Sequence, residues 1–382
     1  MENSVGAFYS RKHMWKQIKE YRWNIIFFSL LGVLTIIITL LIISFKEHTQ
    51  QTKDIVGGVF IGSVKDGGWN ESHYNGLSMA CEELDIELIT EEYVAEETEA
   101  VKEAVDDLTE KGATIIFLTS NGYGDNVREV VESYPNISFY TVSSEAYAAN
   151  ENTYFARMYQ ARYLSGMLAA KYTKTNILGF VSGISSPQVN RGINAFLLGA
   201  RSVNPEVVVK VRFTDSWLDA EAEKEAARKL VEEDGADVLA YHVSESTTVS
   251  VAEDLDVYSV GYSIIYGDYS DKLLCNVDYR WDVLYREMIQ DYLKGYVAKS
   301  TPYWKGISEG AVAIDRISPI VDENTKNLLL MKYNSIDGIH DVFMDEIYDN
   351  EGNLRCNEGE RISDGALLFD MNWFVEGVEI CE

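Results

Sequence analysis

Asp66, Trp69 and Asn70 stand within one five-residue stretch of VGGVFIGSVKDGGWNESHYNGL (Val56–Leu77), and bring together a carboxylate, a flat apolar ring and an amide. The apolar, β-branched run Ile55–Ile61 before them reads as a buried strand. Gly67 and Gly68 then permit a tight turn and close approach of a ligand to backbone. A helix begins after them, with Tyr74, Leu77, Met79, Ala80 and Leu84 apolar along it. Strand, glycine turn and helix start is how an open parallel sheet presents groups at the carboxyl ends of its strands. A ring beside an amide suits an uncharged planar ligand better than a phosphate. A tryptophan in this place also serves as a lid over a core, and the stretch alone leaves both roles open.

Catalytic chemistry finds no comparable set. There is no GxxxxGK[ST] and no GxSxG, and Gly57–Gly62 lies inside the strand rather than after it. Five histidines and four cysteines are scattered without CxxC, HxxxH or HExxH spacing, so no metal site and no cofactor is expected. Adjacent carboxylates such as Asp106 and Asp107 fall on a helical pattern where they cannot converge, and nothing pairs a nucleophile with a base. The chain is not expected to be an enzyme. Cys81 reads as a helix core residue, while Cys356 and Cys381 share the tail and could pair.

The elements that position these residues follow from pattern. With 382 residues the chain can bury a large core in two or three lobes. A formal net charge of −28 argues against nucleic acid, which is bound by basic patches. Residues 1–23 are the exception, carrying Arg11, Lys12, Lys16, Lys19 and Arg22 against Glu2 and Glu20. Residues 24–45 then contain no charge and are dominated by Ile, Leu and Phe, long enough to cross a bilayer as a helix. The following SFKEHTQQ offers no small-x-small cleavage site, and no cysteine for lipidation lies near. The expectation is an uncleaved single-pass anchor in the cell membrane, with the basic arm 1–23 cytoplasmic and the rest extracytoplasmic. Beyond the arm, 28 basic residues face 59 acidic ones, a composition that keeps a domain soluble and off anionic headgroups.

After the linker 46–53, strand and helix patterns alternate. Strands are predicted at Ile55–Ser63, Ile86–Glu91, Ala113–Thr119 and Ile137–Val142, with helices at Glu71–Leu84, Glu96–Lys111 and Asp125–Ser133 between them. A second series runs from helix Tyr159–Tyr172 through strands Asn176–Val181, Val207–Phe213, Asp237–Tyr241 and Val257–Val260. Its helices are Gln188–Val203, Asp219–Glu233 and Glu245–Leu255. The predicted fold class is α/β, two doubly wound parallel-sheet lobes joined by a hinge. Lobe 1 is expected at about 54–143 and 263–300, where Leu273–Val277 and Trp281–Tyr296 read as a return. Lobe 2 is expected at about 144–262 and 301–320, with a C-terminal extension over 321–382.

On these residues the chain resembles the basic membrane protein family, extracytoplasmic receptors of ABC transporters for purine nucleosides or nucleobases. The resemblance is carried by DGGWNESHYNGL, Gly122-Tyr123-Gly124-Asp125, the Tyr134-Pro135-Asn136 turn, MYQARYLSGMLAAKYTKTNILGFVSG (Met158–Gly183), Arg191–Leu230, GADVLAYH (Gly235–His242) and VGY (Val260–Tyr262), and extends into the tail. It implies a type I periplasmic-binding-protein-like fold that closes on its ligand by hinge motion. It matches Trp69 and Trp217 to stacking aromatics from the two lobes, Asn70 to an amide reading a base edge and Asp66 to the family's aspartate in the same loop, with Asp219 just beyond Trp217. Gly122, Asp125, Ser244, Gly261 and Ser263 complete the candidate ligand-binding set. Where nucleoside-binding members carry aspartates that hold the sugar, this chain has Ser263, Ile264, Ile265 and Tyr266. The expectation is a membrane-tethered solute-binding protein that hands a purine base or nucleoside to a permease and its ATPase. The alternative is a ligand-binding sensor ectodomain acting through a partner.

Overall fold

The protein is described by a computed structural model over residues 14–15, 19, 21–23, 29–39, 54–142, 148–296, 302–337 and 339–382. The chain divides into two units, Met1–Asp54 and Ile55–Glu382. In the first, residues 29–39 are helical, and Thr35 and Thr39 turn their hydroxyls back to the carbonyls of Leu31 and Thr35. Among the described residues no helix is long and apolar enough to cross a membrane; much of the span predicted at 24–45 lies outside them.

The second unit contains two parallel sheets. The first is built from β1 (Ile55–Val59), β2 (Glu87–Glu91), β3 (Ala113–Leu118), β4 (Ser138–Val142), β5 (Glu151–Ala156) and β11 (Tyr303–Lys305), in the order β11-β5-β4-β3-β1-β2. The second is built from β6 (Ile177–Ser182), β7 (Val208–Phe213), β8 (Val238–His242), β9 (Tyr258–Tyr262), β10 (Leu273–Tyr279), β12 (Val312–Asp315) and β15 (Val378–Ile380), in the order β12-β10-β9-β8-β6-β7-β15. Only β12 runs antiparallel. A small hairpin, β13 (Ile347–Tyr348) with β14 (Leu354–Cys356), stands apart.

Helices join the strands. In chain order they are α1 (Trp69–Glu83), α2 (Thr98–Glu110), α3 (Tyr123–Asn126), α4 (Arg128–Ser133), α5 (Met158–Tyr172), α6 (Pro187–Arg201), α7 (Ala220–Glu232), α8 (Thr247–Asp254), α9 (Trp281–Leu293) and α10 (Glu323–Ser335). Their starts follow local chemistry. Ser186 accepts from Val189 N–H with Pro187 in the first turn of α6, and Asp322 accepts from Thr325 N–H at the start of α10. In each lobe the strand order reverses beside the first strand, and loops there lie at a topological switch point, where open α/β sheets bind ligands. In the first sheet those loops follow β1 and β3; in the second they follow β6 and β8.

The lobe boundaries differ from those expected. β5 and β11 belong to the first sheet, whereas pattern places 151–156 and 303–305 in lobe 2. β10 belongs to the second sheet, although 273–277 read as a return to lobe 1. The chain therefore crosses between sheets after Ala156, after Tyr279 and after Lys305. Pattern could not place these strands, because a buried parallel strand looks alike in either sheet and only pairing decides. β5 has no strand pattern in the sequence: Glu151, Asn152 and Thr153 are polar yet buried, and Thr141 Oγ1 donates to Glu151 at 2.8 Å. The predicted extension 321–382 is likewise part of lobe 2, since β15 pairs with β7 in register Val378 to Val209. Cys356 and Cys381 are free thiols, and Cys81 is buried in α1.

The closest packing joins α5 to α6. A Cβ on Gly166 would lie 1.9 Å from the Phe196 carbonyl oxygen, and one on Gly199 would lie 1.9 Å from that of Tyr163. Neither backbone can yield without moving a helix. Gly166→Val should therefore destabilise the domain by about 1–3 kcal/mol or more, as overpacking does; an unchanged denaturation midpoint would mean the two helices can separate freely.

Candidate functional site

The loop after β1 is held by its own side chains. Asp66 accepts from the N–H groups of Gly68 (2.8 Å), Glu71 (3.1 Å) and Asn70 (3.2 Å), and from Asn70 Nδ2 (2.7 Å). The carboxylate sits at the positive end of α1 and satisfies donors that a helix start leaves open. Asn70 is buried and accepts from Gly62 N–H at 3.3 Å, so its amide is tied at both ends and keeps one N–H. Trp69 donates its indole N–H to the Thr119 carbonyl at the end of β3, 2.8 Å away. That bond fixes the ring between the two switch-point loops of lobe 1.

Trp69 meets Tyr279 edge to face at 6.0 Å and Trp281 at 5.8 Å. Tyr279 and Trp281 stack at 4.5 Å, 12° from parallel. Tyr262 shares hydrogen bonds with Tyr279 (3.0 Å) and with His242 Nε2 (2.9 Å). His242 in turn lies 6.2 Å from the ring of Trp217. An unbroken run of rings thus leads from Trp69 in lobe 1 to Trp217 in lobe 2, along the carboxyl ends of β10, β9 and β8. Trp69 and Trp217 are not in ring contact with each other; Tyr279, Tyr262 and His242 lie between.

Trp217 is 39% exposed and rests on Gly183, where a Cβ would stand 2.4 Å from the indole. Its carbonyl accepts from Ser244 N–H at 3.1 Å, which binds it to the loop after β8. The lobes touch at the same loop: a Cβ on Gly68 would lie 2.5 Å from the Ser244 carbonyl oxygen. Tyr266 also donates its hydroxyl across to Glu71. The lobes are closed on each other here.

The remaining candidates are placed as follows. Asp219 is exposed and caps α7, accepting from Ala222 N–H at 3.0 Å. Gly122 donates its N–H to Glu96 at 3.1 Å, and a side chain there would displace that carboxylate. Asp125 lies in α3. Gly261 leaves room for Ile265 and Asn276, whose atoms a Cβ would meet at 2.0 and 2.6 Å. Ser263 takes a left-handed backbone (φ 57°), accepts from Asn276 Nδ2 at 2.9 Å, and has a buried hydroxyl without a partner among the described residues. Ile265 is packed inward, so of the two isoleucines only Ile264 remains partly exposed at the strand end.

Sequence reasoning missed His242, Tyr262, Tyr279, Trp281 and Arg162. Their signal was position: all but Trp281 and Arg162 end a strand of the second sheet. Arg162 is fully buried in α5, donates to the Tyr241 carbonyl at 2.5 Å and stands 4.4 Å over the Tyr262 ring. Burial, then Arg162 and Arg191, hold His242 well below the usual imidazole range, so it is neutral. His73, in contact with Trp69 and stacked on Trp281 at 4.0 Å, is held neutral by burial alone. Among the described residues no cluster of His, Cys, Asp and Glu could hold a metal.

Two lobes of parallel sheet that meet at their strand ends over a shared set of rings make a periplasmic-binding-protein-like α/β fold. The comparisons agree. A family model described as ABC transporter substrate-binding protein PnrA-like matches residues 53–341, and the chain belongs to that family. It is 31% identical to a purine-binding protein of Brucella abortus over 85% of this chain and 92% of that one. It is 31% identical to a putative ABC transporter glucose-binding protein of Haloferax volcanii over 84% and 79%. A solved structure, a transcriptional activator of the comK gene from Bacillus halodurans, shares the fold with TM-score 0.65 and 21% identity, covering 74% of this chain and 96% of that one.

Because Gly68 touches the Ser244 carbonyl only when the lobes meet, Gly68→Ala should obstruct closure without disturbing either core. Ligand affinity should fall by about tenfold or more while the ligand-free melting temperature changes little. Undiminished affinity would mean that this contact is not part of the bound state.

Proposed function

We propose that this protein is a membrane-tethered, extracytoplasmic solute-binding subunit of an ABC importer that takes a purine base between its lobes by aromatic stacking. The observation that carries the reading is the run of rings from Trp69 to Trp217 across both lobes at their switch points. Flat heterocycles match such a surface, and base–aromatic stacking contributes about 1–3 kcal/mol. The Brucella relative, named for purine binding, supports the same ligand class. Family members of this type bind small solutes and work with a permease and an ATPase.

A base is favoured over its nucleoside. Ribose hydroxyls need acceptors, and each left buried without one costs about 1–3 kcal/mol. At the end of β9 the chain offers Ser263 and Ile264 rather than carboxylates, with Asn276 Oδ1 the unpartnered acceptor beside them. Calorimetric titration with adenine, guanine, their nucleosides and glucose tests this. Bases should bind about tenfold more tightly than nucleosides, unaltered by the protein, and Trp69→Ala should remove most of the affinity. Tighter nucleoside binding would overturn the base preference, and glucose binding alone would overturn the purine class.

Tethering rests on the charge-free run 24–45 and its basic flank, and on the exposed apolar side chains of the helical residues 29–39, such as Leu30, Leu34 and Ile36. Protease added outside intact cells should digest the domain while the N-terminal arm stays protected. A mature protein beginning after residue 45 would overturn the anchor.

A further inference from the structure

Arg162 carries two buried nitrogens, Nε and Nη1, without hydrogen-bond partners, although its guanidinium is fully enclosed. Arg191, one turn into α6, is also buried and donates to the Leu367 carbonyl. Among the described residues neither arginine has a carboxylate in ion-pair range, in a chain whose net charge is −28. Buried charge is ordinarily paired. Beside them, His242 has an unpartnered Nδ1. With the imidazole neutral and Nε2 engaged by the Tyr262 hydroxyl, Nδ1 is free to carry the proton and donate. Ser182, ending β6, adds a buried unpartnered hydroxyl. All these groups lie at the carboxyl ends of β6, β8 and β9 or one turn into α5 and α6.

Gly192 of α6 borders the same place. A Cβ there would find nothing nearer than Arg162 Cγ and His242 Nδ1, both at 3.9 Å. The glycine therefore leaves room for about one heavy atom between the unpartnered His242 Nδ1 and the stem of Arg162, in an ordinary helical position where alanine would be the better helix former.

We propose that His242 in the run of rings and Arg162 beneath it receive an anionic exocyclic oxygen, making the ligand an acidic oxopurine such as xanthine or urate rather than an aminopurine. This rests on the purine reading above and revises the expectation of an uncharged ligand. A guanidinium without a counterion, two or more donors and no facing carboxylate favour an acceptor that carries charge. Adenine presents an amino group to the same edge and would leave the donors unpaired.

Calorimetric titration of the domain with adenine, xanthine and urate, on the parent, Gly192→Ala and Arg162→Met, tests the assignment. Xanthine or urate should bind at least about tenfold more tightly than adenine. Gly192→Ala, whose methyl group fits without a clash, should lower xanthine and urate affinity by more than it lowers that of adenine, and so remove that advantage. Arg162→Met should also narrow the gap between xanthine or urate and adenine; should it fail to fold, the parent ranking and Gly192→Ala decide. Adenine binding as tightly as xanthine and urate overturns the assignment and leaves the purine reading standing. Gly192→Ala binding urate like the parent also overturns it. No binding of any purine overturns both.

Discussion

The stacked pair Tyr279 and Trp281 is the contact on which the rest turns. Tyr279 ends β10 in the second sheet, and Trp281 begins α9, which packs on α1 of the first; only Arg280 separates them. A Cβ on Gly76 of α1 would lie 2.4 Å from Trp281 Cβ, so α9 is seated on α1 backbone to backbone. Trp69 meets both rings edge-on, and Phe155 of β5 meets them at 6.2 and 6.0 Å. Edge-to-face and stacked pairs each add about 0.5–1.5 kcal/mol beyond their buried area. The second chain crossing therefore also carries the rings that Trp69 meets, so the link between the two sheets and the run of rings are one structure.

The first and third crossings are secured differently. Arg157, just past β5, reaches Asp364 at 2.5 Å and stands 3.8 Å over the Trp304 ring, beside β11's return. Tyr159 and Gln160 donate to Asp341, at 2.5 and 3.0 Å, and Gln160 accepts from Ile307 N–H at 2.8 Å. Both aspartates come from the C-terminal segment, whose β15 completes the lobe 2 sheet. The tail thus ties the two crossings to lobe 2 and gives buried polar groups their partners, which a low-dielectric interior requires. In the floor of the cleft that rule is broken, with Arg162, His242, Ser182 and Ser263 carrying unpartnered atoms.

Much of the architecture was legible in the residues. Alternating β-branched runs and 3.6-period stretches identify β1, β3, β6, β8 and α1, α2, α5, α6 and α7, because a strand buried on both faces is a continuous apolar run and a helix keeps its stripe. The DGGWN stretch also announces its place after β1, since glycines, an aromatic and an amide have no reason to gather inside an element. Pattern failed at β5, whose polar residues are buried against Thr141, and at Asp125–Ser133, which forms two short helices rather than one.

By itself the sequence determined the elements, their alternation, the apolar span near the amino end and the loop that holds Trp69, all properties of neighbours along the chain. Tertiary structure alone decided which sheet receives β5, β10 and β11, because strand pairing joins residues far apart. It also decided that Asp66 and Asp219 start helices, and that Arg162 lies without a counter-carboxylate beneath Tyr262 and His242. Whether a charge is paired depends on what folding brings beside it, and no spacing within α5, β8 or β9 records that.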